Sequence, residues 1–177
     1  MSNIFIRHGE VENPKDIYYV NVPGYKLSKI GEAQAEKTGL YLKAEGYNYN
    51  IITSPLLRAR QTGEIISKIL STEIDINDAL YEWMGPIAWR GLSFNEINKE
   101  KIPEVEEEYI DVYKRIKIID DKFKETIFIS HQDAIRSFTY YSINDQTQDF
   151  LKFKPSHCEV QAVNYQKKSV EQIFIPS

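Results

Sequence analysis

The sequence predicts a single α/β domain built on a mostly parallel sheet. Short apolar runs alternate along the chain with longer stretches of helix-forming residues, which is typical of this fold class. No linker, repeat or low-complexity tract divides the chain. Its 177 residues are 42% hydrophobic and 27% charged, enough to bury one core. We therefore take residues 1–177 as one domain.

The first half of the chain is predicted to alternate strands with helices. Three short strands are predicted, over residues 3–6, 50–53 and 73–77. Between the first two, a helix is predicted to begin at the N-cap Ser28, run to about Glu45 and stop at Gly46. After the second strand, Ser54 is an N-cap candidate and Pro55 suits a first helical position, so a second helix is predicted to begin there.

The second half begins with residues 78–101, which are predicted to form a long loop with at most one short helix. A helix is then predicted from Pro103, because apolar residues step by four and three along it. The four glutamates at 104, 106, 107 and 108 would occupy its first turn, where the helix dipole favours acidic side chains. The remaining predicted elements are a strand over 125–130, a helix containing Ile135 and Phe138, and strands over 160–165 and 170–175 joined as a hairpin.

Composition excludes several classes of function. A net charge of −4 argues against a nucleic-acid-binding surface. We find neither a membrane-spanning stretch nor a signal peptide, and expect no membrane partner. The single cysteine, Cys158, has no partner for an internal disulfide; we expect it to be buried and the protein to be cytoplasmic. Tyrosines and isoleucines on edge strands would be compatible with a homodimer, and the oligomeric state is left open.

Four cationic or titratable side chains come directly after predicted apolar strands. They are Arg7, His8, Arg58 and His131. Because ligands bind beyond the carboxyl ends of parallel strands, we expect these side chains to converge on one edge of the sheet. Guanidinium groups suit phosphate oxygens, and a compact anion such as a small phosphorylated molecule is the predicted ligand. With three histidines and no pair of cysteines, the sequence does not predict a dedicated set of metal ligands. No cofactor is predicted.

Several segments together resemble one known family. They are Ile6-Arg7-His8-Gly9-Glu10, residues 53–62 around Arg58, Leu80-Tyr81-Glu82 with Trp89-Arg90-Gly91, and Ile129-Ser130-His131. In this order they resemble the motifs of the histidine phosphatase superfamily, which has the phosphoglycerate mutase-like fold. The resemblance covers nearly the whole chain.

The resemblance implies a fold, an activity and a role for each matching residue. The fold would be a three-layer α/β/α sandwich, and the activity that of a metal-independent phosphomonoesterase of the histidine acid type acting on a small phosphorylated metabolite. His8 would form a phosphohistidine, while Arg7, Arg58 and His131 would hold the phosphoryl oxygens. Glu82 would protonate the leaving oxygen and then activate water.

The chain departs from the common family pattern in ways that bear on substrate choice. Val11 stands where threonine is usual, Gln132 replaces a glycine, and Arg90 replaces an acidic residue. Asn13 comes one position earlier than the family's asparagine and is a further candidate for binding phosphate.

Other candidates concern the substrate rather than the phosphoryl group. Tyr18, Tyr19 and Tyr25 either line the substrate pocket or belong to a loop packed on the domain. Residues 82–113 are predicted to form a lid or substrate segment. Asp78 and Glu96 lie in the same poorly patterned region as Glu82 and compete with it for the catalytic role. His157 is interpreted as structural, with a place near the pocket rim as the alternative.

Two other functions are compatible with the same motifs. A phosphoglycerate mutase would use the same chemistry but needs to exclude water, and a catalytically silent module would only bind phosphorylated ligands or a protein. The presence of Arg7, His8, Arg58 and His131 favours the phosphatase. The sequence does not identify the phosphorylated substrate.

Overall fold

A computed structural model describes residues 2–98, 103–145 and 147–177. The described chain forms one six-stranded sheet. Its strands are β1 (Ile4–Arg7), β2 (Asn50–Thr53), β3 (Ile74–Ile76), β4 (Thr126–Ser130), β5 (Val160–Asn164) and β6 (Ser169–Phe174). They lie in the order β3-β2-β4-β1-β5-β6, and the first four are parallel. β5 pairs antiparallel with β1, and β6 with β5, which confirms the predicted C-terminal hairpin.

Helices cover both faces of the sheet. They are α1 (Lys29–Ala44), α2 (Leu57–Leu70), α3 (Tyr109–Lys122) and α4 (Gln132–Ile143). Alternation along β4 shows the two sides: Ile127 and Ile129 pack in the cluster with residues of α1 and α2, while Phe128 packs in the cluster with residues of α3 and α4. The predicted α/β/α sandwich is therefore confirmed.

Helix α1 begins where the sequence predicts. The Ser28 hydroxyl accepts a hydrogen bond from the Gly31 amide, and Gly46 follows the last turn with a φ of +78°. Cys158 is fully buried, as predicted. No helix among the described residues combines the length and apolarity needed to cross a membrane.

The predicted start of α2 is wrong by two residues. The helix begins at Leu57, and its N-cap is Leu56 rather than Ser54. Ser54 is still held at the end of β2, where its amide donates to the Ile129 carbonyl at 2.9 Å. Its hydroxyl lies 2.7 Å from Nε2 of His131, so the serine contributes to the site rather than to the helix.

The predicted start of the helix at Pro103 is also wrong, because α3 begins at Tyr109. The glutamates ahead of it therefore do not lie in a first helical turn. The amides of Glu106 and Glu107 donate to the Met84 carbonyl at 3.1 and 3.2 Å, and the Glu107 carboxylate pairs with Arg115 at 2.7 Å. These contacts, rather than the helix dipole, hold the glutamate segment, which is bonded to the chain at Met84 and to Arg115.

The long loop between β3 and α3 contains two short 3₁₀ turns, Asp78–Leu80 and Ile87–Trp89, where one short helix at most was predicted. Part of the predicted lid segment, residues 99–102, lies outside the described residues. The other predicted strands agree with the structure to within one residue at either end.

Candidate active site

The two histidines predicted to act together follow neighbouring parallel strands. Arg7 at the end of β1 is in register with Ser130 at the end of β4, so His8 and His131 leave the sheet at the same level. The His8 amide donates to the Ser130 carbonyl at 3.0 Å, and the two imidazole rings lie 5.1 Å apart between centroids. Strand register therefore places both rings at the carboxyl edge of the sheet.

The hydrogen bonds of His8 define which of its nitrogens is free to react. Nδ1 lies 2.7 Å from the Gly9 carbonyl, which can only accept, so Nδ1 carries the proton of the neutral ring. Nε2 then has a lone pair, toward which Nε of Arg58 donates at 3.2 Å. Burial, followed by the positive charge of Arg58, lowers the pKa of His8 well below its ordinary value. The imidazole is therefore neutral, as a nitrogen nucleophile has to be.

Arg58 lies in the first turn of α2 and is 1% exposed. Besides His8, its guanidinium bonds the Val20 carbonyl and lies 4.9 Å from the centre of the Tyr19 ring. Burial lowers the pKa of this guanidinium, and bound phosphate would oppose that effect with its negative charge. One terminal nitrogen of Arg58 donates to the Val20 carbonyl and would otherwise be available to a phosphoryl oxygen.

Arg7 and His131 have hydrogen-bonding capacity left. A terminal nitrogen of Arg7 donates to the Pro155 carbonyl at 2.9 Å, and its Nε is buried with no hydrogen-bond partner among the described residues. In the same described part of the chain, Nδ1 of His131 is also buried without a partner, while Nε2 contacts Ser54. Burial, and next the charge of Arg58, lowers the pKa of His131 well below its ordinary value. Unpartnered buried donors beside a nucleophile suit an anionic ligand.

Glu82 has the properties of a general acid. One carboxylate oxygen accepts from the amides of Trp83 and Ala134 at 2.8 and 3.1 Å, which fixes the orientation of the side chain. Burial, followed by the like charge of Asp133, raises the pKa of Glu82 to about 7. A carboxyl group with this pKa can hold a proton near neutral pH and release it during a reaction.

The loop after β1 is held by close packing against α1. A Cβ added to Gly31 would lie 2.0 Å from the Glu10 carbonyl oxygen, and one added to Gly9 would lie 2.5 Å from the Gly31 oxygen. The Gly9 amide donates to the Thr62 hydroxyl at 3.1 Å. Only glycine fits at these two positions, and their contact keeps His8 in place.

The catalytic pocket is a cavity of about 150 Å³. It is lined by Arg7, His8, Tyr18, Tyr19, Val20, Glu82, Phe94, Gln132 and Asp133. His8 and Glu82 thus face the same space. Arg58 and His131 are not among the lining residues, and the Tyr19 ring, which lines the pocket, contacts the Arg58 guanidinium at 4.9 Å.

A comparison with known families agrees with this geometry. The sequence profile of the histidine phosphatase superfamily, branch 1, matches residues 3–173. The chain belongs to this superfamily. An uncharacterised protein of Mycobacterium tuberculosis is 28% identical to it over 158 residues, which cover 77% of this chain and 75% of the relative.

Two further known proteins are similar to the chain. A 2,3-bisphosphoglycerate-dependent phosphoglycerate mutase of Borreliella burgdorferi is 41% identical over 68 residues, or 38% of this chain and 27% of the mutase. The solved structure of a phosphoserine phosphatase from Entamoeba histolytica, in complex with 3-phosphoglyceric acid, superposes with a TM-score of 0.79 at 21% identity. That match covers 100% of this chain and 98% of the other, and it shows a shared fold.

The structure brings five of the predicted site residues together. They are Arg7, His8, Arg58, Glu82 and His131, and their catalytic roles stay predictions. Asn13 is placed differently, because its side-chain amide exchanges two hydrogen bonds with the backbone of Ile17 and does not line the pocket. Of the competitors of Glu82, Asp78 is exposed at the start of a 3₁₀ turn, and Glu96 is exposed and accepts from the Ser93 amide.

The tyrosine candidates have different positions. Tyr18 and Tyr19 line the catalytic pocket, whereas Tyr25 does not line it and stacks on the Tyr19 ring at 4.7 Å between centroids. His157, interpreted as structural from the sequence, has its ring 5.8 Å from that of His8. Burial and the charge of Arg7 lower its pKa to about 4, so it is a neutral neighbour of the nucleophile.

Sequence reasoning missed Asp133. It lies two positions after His131, in the first turn of α4, and shares the catalytic pocket with Glu82. Arg136 pairs with it at 2.6 Å. The helical spacing of Asp133 and Arg136 predicts their ion pair, but no sequence signal relates either residue to Glu82.

A second, larger cavity adjoins the catalytic pocket. Its volume is about 680 Å³, and it shares Tyr18, Gln132 and Asp133 with the smaller one. The segment predicted as a lid contributes most of the remaining lining, which is Trp83, Trp89, Pro103, Glu104, Val105, Glu108 and Tyr109, with Arg136 from α4. We call this space the outer cavity. Within the described parts of the chain, no three His, Cys, Asp or Glu side chains are grouped so that they could hold a metal ion.

Proposed function

We propose that the protein is a metal-independent phosphomonoesterase that acts through a phosphohistidine at Nε2 of His8. The observation that carries the proposal is the state of the His8 imidazole. Its proton is held at Nδ1 by the Gly9 carbonyl, and its Nε2 lies beside the Arg58 guanidinium. Glu82, a carboxyl group with a pKa of about 7, lines the same pocket. A neutral nucleophile, fixed cations and a proton donor are the groups that phosphoryl transfer needs.

In the first step, Nε2 of His8 gives up the hydrogen bond from Nε of Arg58, and its lone pair attacks phosphorus. The bond from phosphorus to the ester oxygen breaks, and that oxygen takes the proton of Glu82. The equatorial oxygens carry the spread negative charge, which Arg7, Arg58 and His131 would stabilise by donating hydrogen bonds. For Arg58 this requires exchanging the Val20 carbonyl for a phosphoryl oxygen. The products are the free alcohol and phosphohistidine.

In the second step, water replaces the departed alcohol. The Glu82 carboxylate takes a proton from this water as its oxygen attacks phosphorus, and the bond to Nε2 breaks. His8 returns to its neutral form, Glu82 is again protonated, and inorganic phosphate leaves. One carboxyl group thus serves as acid and then as base, for which a pKa near the working pH is the best compromise.

The experiment is phosphate release from p-nitrophenyl phosphate with EDTA present. We compare the wild type with His8→Ala and Glu82→Gln, and we use Glu96→Gln as the matched control in the same segment. The wild type should turn over in EDTA, and His8→Ala should lose activity completely. An alkyl phosphate is assayed in parallel. Because nitrophenolate is a good leaving group and an alkoxide is not, Glu82→Gln should slow the alkyl phosphate far more than p-nitrophenyl phosphate. We expect the rate of the variant with the alkyl phosphate to be lower than that of the wild type by about 100-fold or more.

Three results would count against the proposal. Activity that survives in His8→Ala would remove the phosphohistidine, and activity abolished by EDTA would remove metal independence. Exchange of the phosphoryl group between the hydroxyls of phosphoglycerate without release of phosphate would indicate a mutase. Glu96→Gln should behave as the wild type, because Glu96 is exposed and its carboxylate bonds the Ser93 amide rather than a group of the catalytic pocket.

A further inference from the structure

The leaving group of a phosphate ester bound in the catalytic pocket has to extend into a neighbouring space. The outer cavity provides this space, because it adjoins the catalytic pocket along Tyr18, Gln132 and Asp133. Its volume of about 680 Å³ is within the range of small-molecule sites. The chemistry of its walls therefore indicates which alcohols the enzyme releases.

Aromatic rings form much of that wall. Tyr18 and Trp89 meet edge to face at 5.7 Å between centroids, and both line the cavity. Trp83 and Tyr109 stack at 4.3 Å deeper in it. Aromatic faces attract organic cations, most strongly those of tryptophan.

The charges of the outer cavity are predominantly negative. Its one lining cation, Arg136, is 7% exposed, bonds the Asp133 carboxylate at 2.6 Å and lies over the Phe150 ring. After that pair is counted, Glu104 and Glu108 are left, and neither has an ion-pair partner among the described residues. An anionic leaving group would meet two carboxylates and no free cation of the described lining, whereas an ammonium group would be attracted by both glutamates and rings.

We propose that the outer cavity selects phosphomonoesters whose alcohol carries an amine or quaternary ammonium group. The inference rests on the proposed phosphatase function and adds a substrate class to it. Phosphate would be held by the cationic end of the site around His8, and the ammonium group by Trp89, Tyr18 and the two glutamates. The site is thus divided into an anion-binding inner part and a cation-binding outer part, matched to a zwitterionic substrate.

The test compares three esters of similar size. Choline phosphate carries the cation, 3,3-dimethylbutyl phosphate is its uncharged carbon isostere, and 3-phosphoglycerate carries a carboxylate. The wild type should favour choline phosphate over the isostere by about tenfold in kcat/KM, because cation–π and carboxylate attraction act on the charge alone. The anionic ester should be the poorest of the three.

Variants then assign the preference to the outer cavity. Glu104→Gln and Glu108→Gln should each reduce the ratio of choline phosphate to isostere by about threefold, as exposed charges do. Trp89→Leu should lower the ratio as well, while Glu64→Gln, the same charge change on the exposed face of α2, should leave it unchanged. The rate with p-nitrophenyl phosphate reports the common chemistry in each variant.

The outcomes separate the two proposals. Turnover of p-nitrophenyl phosphate by the wild type, with equal or better use of the isostere or of 3-phosphoglycerate, would overturn the ammonium proposal and leave the phosphatase standing. A preference for choline phosphate that is unaffected by both glutamate variants and by Trp89→Leu would also overturn it. No turnover of any ester would count against the phosphatase itself.

Discussion

Nε of Arg58 lies 3.2 Å from Nε2 of His8, so a permanent cation points its donor at the nitrogen that is to become phosphorylated. Burial is the largest cause that lowers the pKa of His8, and the guanidinium charge adds to it because it opposes protonation of the ring. In the proposed mechanism the same guanidinium would donate to the transferred phosphoryl oxygens. Arg58 would then favour both the neutral nucleophile and the charge of the transition state.

Arg58→Lys should reduce kcat/KM by about 100-fold, since an ammonium group cannot replace the planar donor fork. Steady-state kinetics with an alkyl phosphate would measure this loss. Arg60→Lys, two residues along the same helix, is the matched control and should retain activity. Equal activities of the two variants would show that the Arg58 contact has no part in catalysis.

The pKa of Glu82, about 7, predicts the pH dependence of the phosphorylation step. The carboxyl group is protonated below that pH, so the step should be fastest there and slow about tenfold per pH unit above it. Single-turnover measurements with an alkyl phosphate would show this decrease as the alkaline limb of the pH–rate profile. The limb should be absent in Glu82→Gln. A rate that rises with pH through the same range would contradict the assignment of Glu82 as the acid.

Asp133 offers a way to move that limb. Its like charge is, after burial, the largest cause that raises the pKa of Glu82. Asp133→Asn removes the charge with little change of shape, and the alkaline limb should move to lower pH by about half a unit or more. An unchanged limb in a folded Asp133→Asn variant would show that burial alone sets the pKa.

The same carboxyl group should reduce the stability of the fold. Because the folded pKa of about 7 exceeds the ordinary value of 4.5, the folded state retains a proton that the unfolded state releases. The free energy of unfolding therefore falls by an amount on the order of 3 kcal/mol as the pH rises from 4.5 to 7. Above pH 7 this group does not lower it further.

Glu82→Gln should remove this cost, since the amide oxygen can still accept from Trp83 and Ala134. Denaturant unfolding should show the variant gaining on the wild type as pH rises through that window. The comparison of the two proteins cancels the titration of the other groups. A gain that is largest at acidic pH would contradict a raised pKa.

The packing of Gly31 against Glu10 predicts a sensitive position that has no reactive side chain of its own. A Cβ at Gly31 would lie 2.0 Å from the Glu10 carbonyl oxygen, so Gly31→Ala must displace either α1 or the loop that carries His8. We expect a loss of about 3 kcal/mol in the free energy of unfolding, together with reduced kcat. Glu36→Ala, on the exposed face of the same helix, should change neither.

The sequence predicts the sheet and the inner part of the site well for a physical reason. His8 and His131 follow short apolar strands, and parallel strands bring their carboxyl ends to one edge whatever the loops do. The Ser28 cap is equally local, since its bond to Gly31 spans three residues. Such features depend on neighbours along the chain or on strand order.

Features that depend on distant contacts were not predictable in the same way. Ser54 is a good N-cap by its residue type, yet its hydroxyl is used by His131, 77 positions away. The glutamates before α3 suit a helix start, but two of them, Glu106 and Glu107, pair with Arg90 and Arg115 and lie outside the helix. Asp133 affects Glu82 only through the folding of two separate segments, for which one sequence holds no signal.

The most direct test of the account is the identity of the phosphorylated atom. Wild-type protein would be mixed with substrate, quenched in alkali, which preserves phosphohistidine, and examined by mass spectrometry and by ³¹P and ¹⁵N NMR. We expect one phosphoryl group on His8, bonded at Nε2, because Nδ1 is occupied by the Gly9 carbonyl. Phosphorylation at Nδ1, on His131 or on no residue at all would contradict the account.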